Sequence, residues 1–159
     1  MTPDLRKEHK WLEQLVGDWT CEMEAVMGPD QPPSKSKGTE SVRSLDGAWT
    51  LGEGRAEMPG GGTATNIMTL GFDPSKGRFI GTFIASCMTH LWVYEGSLDE
   101  SGKVLTLDTQ GPSFTAPGKM AAYKDVIEIV DPGYRKLSSS VQMDDGSWVS
   151  FMTAHYRRA

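Results

Sequence analysis

The feature that most constrains this chain is the near-regular spacing of its turn signals. After residue 18, stretches rich in β-branched and aromatic residues are cut at short intervals. The cuts fall at Asp46-Gly47, Pro59-Gly60-Gly61-Gly62, Asp73-Pro74-Ser75-Lys76-Gly77, Asp99-Glu100-Ser101-Gly102, Asp131-Pro132-Gly133 and Asp144-Asp145-Gly146. Short alternating segments joined by hairpin-length turns predict an antiparallel meander. Asp46-Gly47 is the strongest of these signals, because the favoured two-residue hairpin turn needs φ > 0 at both central positions. Ten strands are predicted, at 19–27, 38–45, 48–57, 63–72, 78–86, 90–98, 103–109, 120–130, 134–143 and 148–157. Two proline-bearing stretches, Gly28 to Gly38 and Gln110 to Lys119, read as irregular loops. An open ten-stranded sheet would expose two long edges, and closure into a barrel removes them. Eight strands already leave room for one small ligand, so ten leave more.

Only the start of the chain departs from this period. Thr2 and Pro3 suit the cap and first position of a helix, and Leu5, His9, Leu12 and Val16 recur on one face, widened by Trp11 and Leu15. A helix over 2–16, stopped at Gly17, is therefore predicted. It cannot bury its own stripe and must pack on the barrel, across a mouth or along the wall. The whole chain, 1–159, reads as one all-β domain, an antiparallel barrel with this one short helix.

Charge narrows the partners. There are 16 Lys+Arg against 21 Asp+Glu, and the longest cationic run is Arg157-Arg158. A nucleic-acid or anionic-membrane partner needs clustered cations, so neither is expected. The N-terminal residues lack the apolar core of a signal peptide and no apolar run could span a bilayer, so a cytoplasmic protein is expected. Cys21 and Cys87 are far apart and outside any metal-type spacing, which favours two free thiols. No metal or cofactor is expected.

Several short motifs recur in a known order: His9-Lys10-x-Leu12, Val16-Gly17-Asp18-Trp19, Leu45-Asp46-Gly47, Leu70-Gly71-Phe72-Asp73, Gly96-x-x-Asp99 and Tyr156-Arg157. Together they resemble the bacterial DUF1579 family across almost the whole chain, with Phe72 a departure from its more usual Tyr. Gly17-Asp18-Trp19 after a short helix is also similar to the Gly-x-Trp start of calycin barrels such as the lipocalins. The resemblance implies a calycin-like barrel and no assigned activity. It also implies a structural seal in which a cationic residue near the last strand packs over Trp19. Arg157 is the better match for that residue and Arg158 the alternative.

Three functional readings follow. The leading one is a non-enzymatic protein that binds a small, largely apolar molecule, with Trp49, Glu53, Arg55, His90, Trp92, Tyr94 and His155 as cavity candidates. His90, Trp92 and Tyr94 share one parity, which makes an aromatic row with a titratable tip. Glu53, Arg55 and Glu57 share the parity of Trp49; the simpler reading leaves them on a solvated strand end, because charged residues are seldom buried. An enzyme of unknown reaction would use Glu53, Arg55, Glu57 and His90 in the same cavity. The third reading is an interaction module, a homodimer, whose barrel is filled by its own side chains. Haem on His155 is a minor alternative, suggested by a faint similarity to the nitrobindins.

Overall fold

The computed structural model describes residues 1–26 and 31–159. Helix α1 (Lys7–Glu13) precedes ten strands: β1 (Gly17–Ala25), β2 (Ser34–Leu45), β3 (Trp49–Glu57), β4 (Thr63–Asp73), β5 (Arg78–Ala85), β6 (Trp92–Leu98), β7 (Val104–Pro112), β8 (Met120–Asp131), β9 (Tyr134–Gln142) and β10 (Trp148–Arg158). Each strand pairs with its successor, and β1 pairs with β10 to close the barrel. The predicted hairpin at Asp46-Gly47 forms with φ of 51° and 83°, and Ala48 N–H donates to the Leu45 carbonyl at 3.1 Å. Local chemistry and closed topology agree, and the expected all-β barrel with one N-terminal helix is the fold.

Element boundaries differ where pairing overrides composition. β2 begins at Ser34, inside the stretch expected to be a loop, because Lys35 and Lys37 stand opposite Glu24 and Glu22 of β1. Opposite charges directly across a ladder stabilise it. The predicted strand end at Met27 and the Gly28-Pro29 turn lie outside the described residues. β7 runs on to Pro112, so the second irregular stretch shortens to 113–119.

The helix is also shorter than expected. Thr2 and Pro3 do not start it; His9 does, since its Nδ1 accepts the Arg6 N–H at 2.8 Å. That leaves the proton on Nε2, which donates to the Phe72 carbonyl at 3.1 Å and ties the helix to β4. Leu15 and Val16 then turn back on Leu12 and Glu13, and Gly17, at φ 130°, redirects the chain into β1.

This helix closes one end of the barrel. Leu12 and Leu15 are buried in one cluster with Trp19, Phe79, Leu105 and Leu107. Trp11 meets Phe79 edge-on and donates its indole N–H to the Gly102 carbonyl at 2.6 Å. The opposite half of the interior is not filled, and a cavity opens there.

Candidate functional site

The floor between the two halves is a polar layer. Arg135 of β9, 4% exposed, forms an ion pair with Glu40 of β2. Its guanidinium lies 4.0 Å from the Tyr156 ring centroid and 4.7 Å from that of Trp19. Gly52 makes room for the acid: a Cβ there would stand 3.1 Å from the Glu40 carboxylate. Beside this pair, burial pushes the Cys21 thiol up to about 11, so it stays protonated and inert at neutral pH.

Beyond the layer lies a cavity of about 210 Å³ between β4 and β10. Its walls are Phe83, Trp92, Tyr123 and Phe151 with Met68, Met88, Met152 and Leu137, and its polar groups are Tyr94, Thr109, Asp125 and Ser139. Two local irregularities shape it. Gly111 sits under Trp92, where a Cβ would come within 2.1 Å of the indole, so only glycine lets that ring lie against β7. A register shift between Ser150 and Met152 in β10 lets the consecutive residues Phe151 and Met152 both reach the cavity. Phe114, on the 113–119 segment, lies edge-on to Tyr123 and Phe151, with ring centroids 5.6 and 5.3 Å away, and covers the mouth while staying largely exposed.

At the bottom, Asp125 accepts two hydroxyls. Ser139 Oγ donates to Oδ1 at 2.6 Å and Tyr94 donates to Oδ2 at 2.5 Å. Burial raises the Asp125 carboxyl above its ordinary range, and the two hydrogen bonds bring it only part of the way back. Burial, with the Asp125 charge next to it, also holds the Tyr94 phenol well above its usual value, so it remains a donor. A carboxyl whose folded pKa exceeds its unfolded one contributes most below the unfolded value, and that contribution is lost as pH rises through the folded one. Asp125 therefore costs stability at neutral pH. Asp125→Asn is expected to change the melting temperature more favourably at pH 7 than near pH 3, because the amide carries no charge at either. Thermal melts of both proteins at the two pH values check this; an equal loss at both would refute it.

The structure sorts the predicted residues. Trp92 and Tyr94 line the cavity. His90 lies outside strand β6 and outside the lining; its Nε2–H donates to the Gln110 carbonyl at 2.9 Å, and the ring buttresses Trp92 edge-on at 4.7 Å. Trp49, Glu53, Arg55 and Glu57 are exposed, and the buried positions of β3 are Thr50, Gly52 and Gly54. The inward parity for Trp49, Glu53 and Arg55 is thus corrected. Glu40 and the Asn66 amide occupy the space inside Gly52 and Gly54, and the Trp49 ring lies over Gly71 outside. The enzyme constellation of Glu53, Arg55, Glu57 and His90 is not brought together.

His155 also faces outward, opposite exposed Glu22, with Nδ1 hydrogen-bonded to the Tyr134 hydroxyl at 2.7 Å and the two rings stacked. It has no access to the interior, so the donor set does not fit haem held inside the barrel. The seal is corrected by one residue. Arg158, paired with Trp19 across β1 and β10, lies 4.1 Å from its ring and donates to the Gln14 carbonyl at 2.8 Å, whereas Arg157 covers Tyr134. Missed in the sequence were Asp125, Ser139, Thr109, Glu40 and Arg135. An acid between Tyr123 and Ile127, at the parity of both, was the available signal for Asp125.

In shape the chain is similar to Rv2717c from M. tuberculosis, at 17% identity and a TM-score of 0.67, over 98% of this chain and 99% of that one. It is similar to the S-type phycobiliprotein lyase CPES from Guillardia theta, at 12% identity and a TM-score of 0.63, over 99% and 98%. A third similar structure is EF1p2_mFAP2b bound to DFHBI, at 12% identity and a TM-score of 0.51, over 95% and 98%. At such identities the likeness is one of fold. No curated protein matches the chain. The model described as "Protein of unknown function (DUF1579)" matches residues 4–158, and the chain belongs to that family.

Proposed function

We propose that this protein is a cytoplasmic, non-enzymatic holder of one small, largely apolar molecule in the Trp92–Tyr123–Phe151 cavity. The observation that carries the reading is the cavity itself, about 210 Å³ of aromatic and thioether wall beneath Phe114. An apolar cavity of about 150 Å³ suffices for benzene, so a bicyclic molecule is in scale. Methionine walls adapt to shape at little cost, which suits a binder more than a reaction centre. The EF1p2_mFAP2b barrel, solved with DFHBI bound, supports the reading at the level of fold alone.

Native mass spectrometry of the protein purified from cells is expected to show a retained small organic mass. Leu137→Trp, which fills the cavity from β9, is expected to abolish it. A ligand present at 100 times its Kd would also stabilise the fold by about 2.7 kcal/mol. An apo mass, together with no rise in melting temperature across a panel of aromatic and aliphatic compounds, would overturn the reading.

A further inference from the structure

The polar end of the cavity specifies more than size. Thr109 Oγ1 is fully buried and has no hydrogen-bond partner among the described residues, although Thr109 lines the cavity. A buried hydroxyl left unpaired costs stability, so a partner supplied by an occupant of the cavity that Thr109 lines would relieve that cost. Thr109 pairs with Tyr123, and Leu107 with Asp125, so Thr109 and Asp125 are diagonal neighbours on one face of the β7–β8 ladder. Side chains so placed stand within reach of one small molecule.

Asp125 itself is not saturated. Ser139 and Tyr94 take one position on each oxygen, whereas a carboxylate offers about four acceptor sites. Both occupied contacts are donors, which fits a carboxylate that accepts rather than an acid that gives. Among the described residues no Lys, Arg or His lines the cavity. The interior cation of the polar layer, Arg135, pairs with Glu40 through Nη2 and does not line the cavity, although its buried Nε has no partner among the described residues. An entering carboxylate would find an acid and no counter-charge, and a hydrocarbon would leave Thr109 unpaired.

We propose that the occupant is a flat aromatic molecule with a hydrogen-bond-donating nitrogen edge, an aromatic amine, an amidine or a protonated N-heterocycle, seated with that edge on Asp125 and Thr109. The rings lie among Trp92, Tyr123 and Phe151, where edge-on aromatic contacts are already the pattern. This deepens the binding reading above and rests on it.

The test uses three bicyclic probes of similar size: aminobenzimidazole, benzofuran and benzofuran carboxylate. Each is titrated into the protein at pH 7 by calorimetry and tryptophan fluorescence. Aminobenzimidazole is expected to bind about tenfold or more tighter than benzofuran, the scale of a hydrogen bond to a charged group, and the carboxylate to show no binding. Asp125→Asn is expected to reduce aminobenzimidazole affinity about tenfold while benzofuran stays within about twofold. Thr109→Val, nearly the same shape, gives a smaller loss for the amine alone and keeps the test open should the first variant fail to fold. Equal affinity for benzofuran and the amine, or tighter binding of the carboxylate, overturns the nitrogen-edge assignment and leaves the cavity reading standing. No binding of any probe overturns both.

Discussion

Arg135→Met is expected to destabilise the barrel by about 3–5 kcal/mol, measured as a fall in the urea midpoint. The substitution keeps an unbranched apolar stem and removes the guanidinium with its charge. Glu40 would then be a carboxylate 11% exposed with no cation beside it, packed against Gly52 by a surface that admits no larger group. The guanidinium also lies 4.0 Å from the Tyr156 ring centroid and 4.7 Å from that of Trp19, and that attraction is lost together with the ion pair. Adding Glu40→Leu to Arg135→Met is expected to recover most of the loss, because two apolar groups of similar volume leave no unpaired charge. A cost under about 1 kcal/mol for Arg135→Met alone would mean that the layer is wet and the ion pair screened as on a surface.

Trp19→Ala should have an effect of the same order, about 3–5 kcal/mol, as other large-to-small aromatic truncations do. Trp19 is 2% exposed, and three separate constraints meet on it. Its indole N–H donates to the Leu15 carbonyl at 2.9 Å, holding the end of the helical segment against the barrel. Arg158 covers one part of the ring system and Arg135 approaches it from the interior. Removal would leave a large cavity, an unpaired Leu15 carbonyl, Arg158 without the ring it covers and Arg135 with Tyr156 alone. Trp19→Phe restores most of the volume but not the N–H, so it should fall well short of the alanine loss. Equilibrium unfolding of both variants, with near-ultraviolet circular dichroism for the tertiary environment, checks the ranking; an alanine variant no worse than the phenylalanine one contradicts it.

Strand number and order were legible because they rest on short-range chemistry, and closure because ten open strands would expose two long edges. Asp46-Gly47 can adopt positive φ twice, and strands joined by such turns have little choice but to pair with their neighbours. Parity on β3 was not legible for an equally physical reason. The apolar side of that strand, Trp49 and Leu51, faces outward, while the buried side holds Gly52 and Gly54. Those glycines are small because Glu40 and Asn66 reach into the same volume from adjacent strands, information that no single strand carries. The aromatic row on β6 was readable at Trp92 and Tyr94, yet it breaks at His90, which precedes the strand. Arg157 and Arg158 are consecutive, which in a strand means opposite faces. The pairing of Trp19 with Arg158, set by closure, decides between them. The bulge that brings Phe151 and Met152 to one cavity has no comparable local mark. Asp125 was overlooked as one charged residue in an alternating strand, although its parity places it between Tyr123 and Ile127.

The seam between β1 and β10 has a consequence for the way the molecule is made. Nine of the ten strand pairings join consecutive strands and can form as soon as each hairpin has left the ribosome. The tenth cannot. Arg158 contacts the Val16 carbonyl across 142 residues of chain, so β1 keeps an unpaired edge until almost all of the described strands exist. Because the entropy of closing a long loop grows only logarithmically, the delay is more a matter of time than of energy. During that interval β1 is held on one side only, by β2, and its facing Glu22–Lys37 and Glu24–Lys35 pairs put alternating charge along a nascent edge. Charge of that kind discourages a second unfinished chain from docking there. The last strand thus acts as a latch: until it arrives, the interior that would hold a ligand has a wall missing.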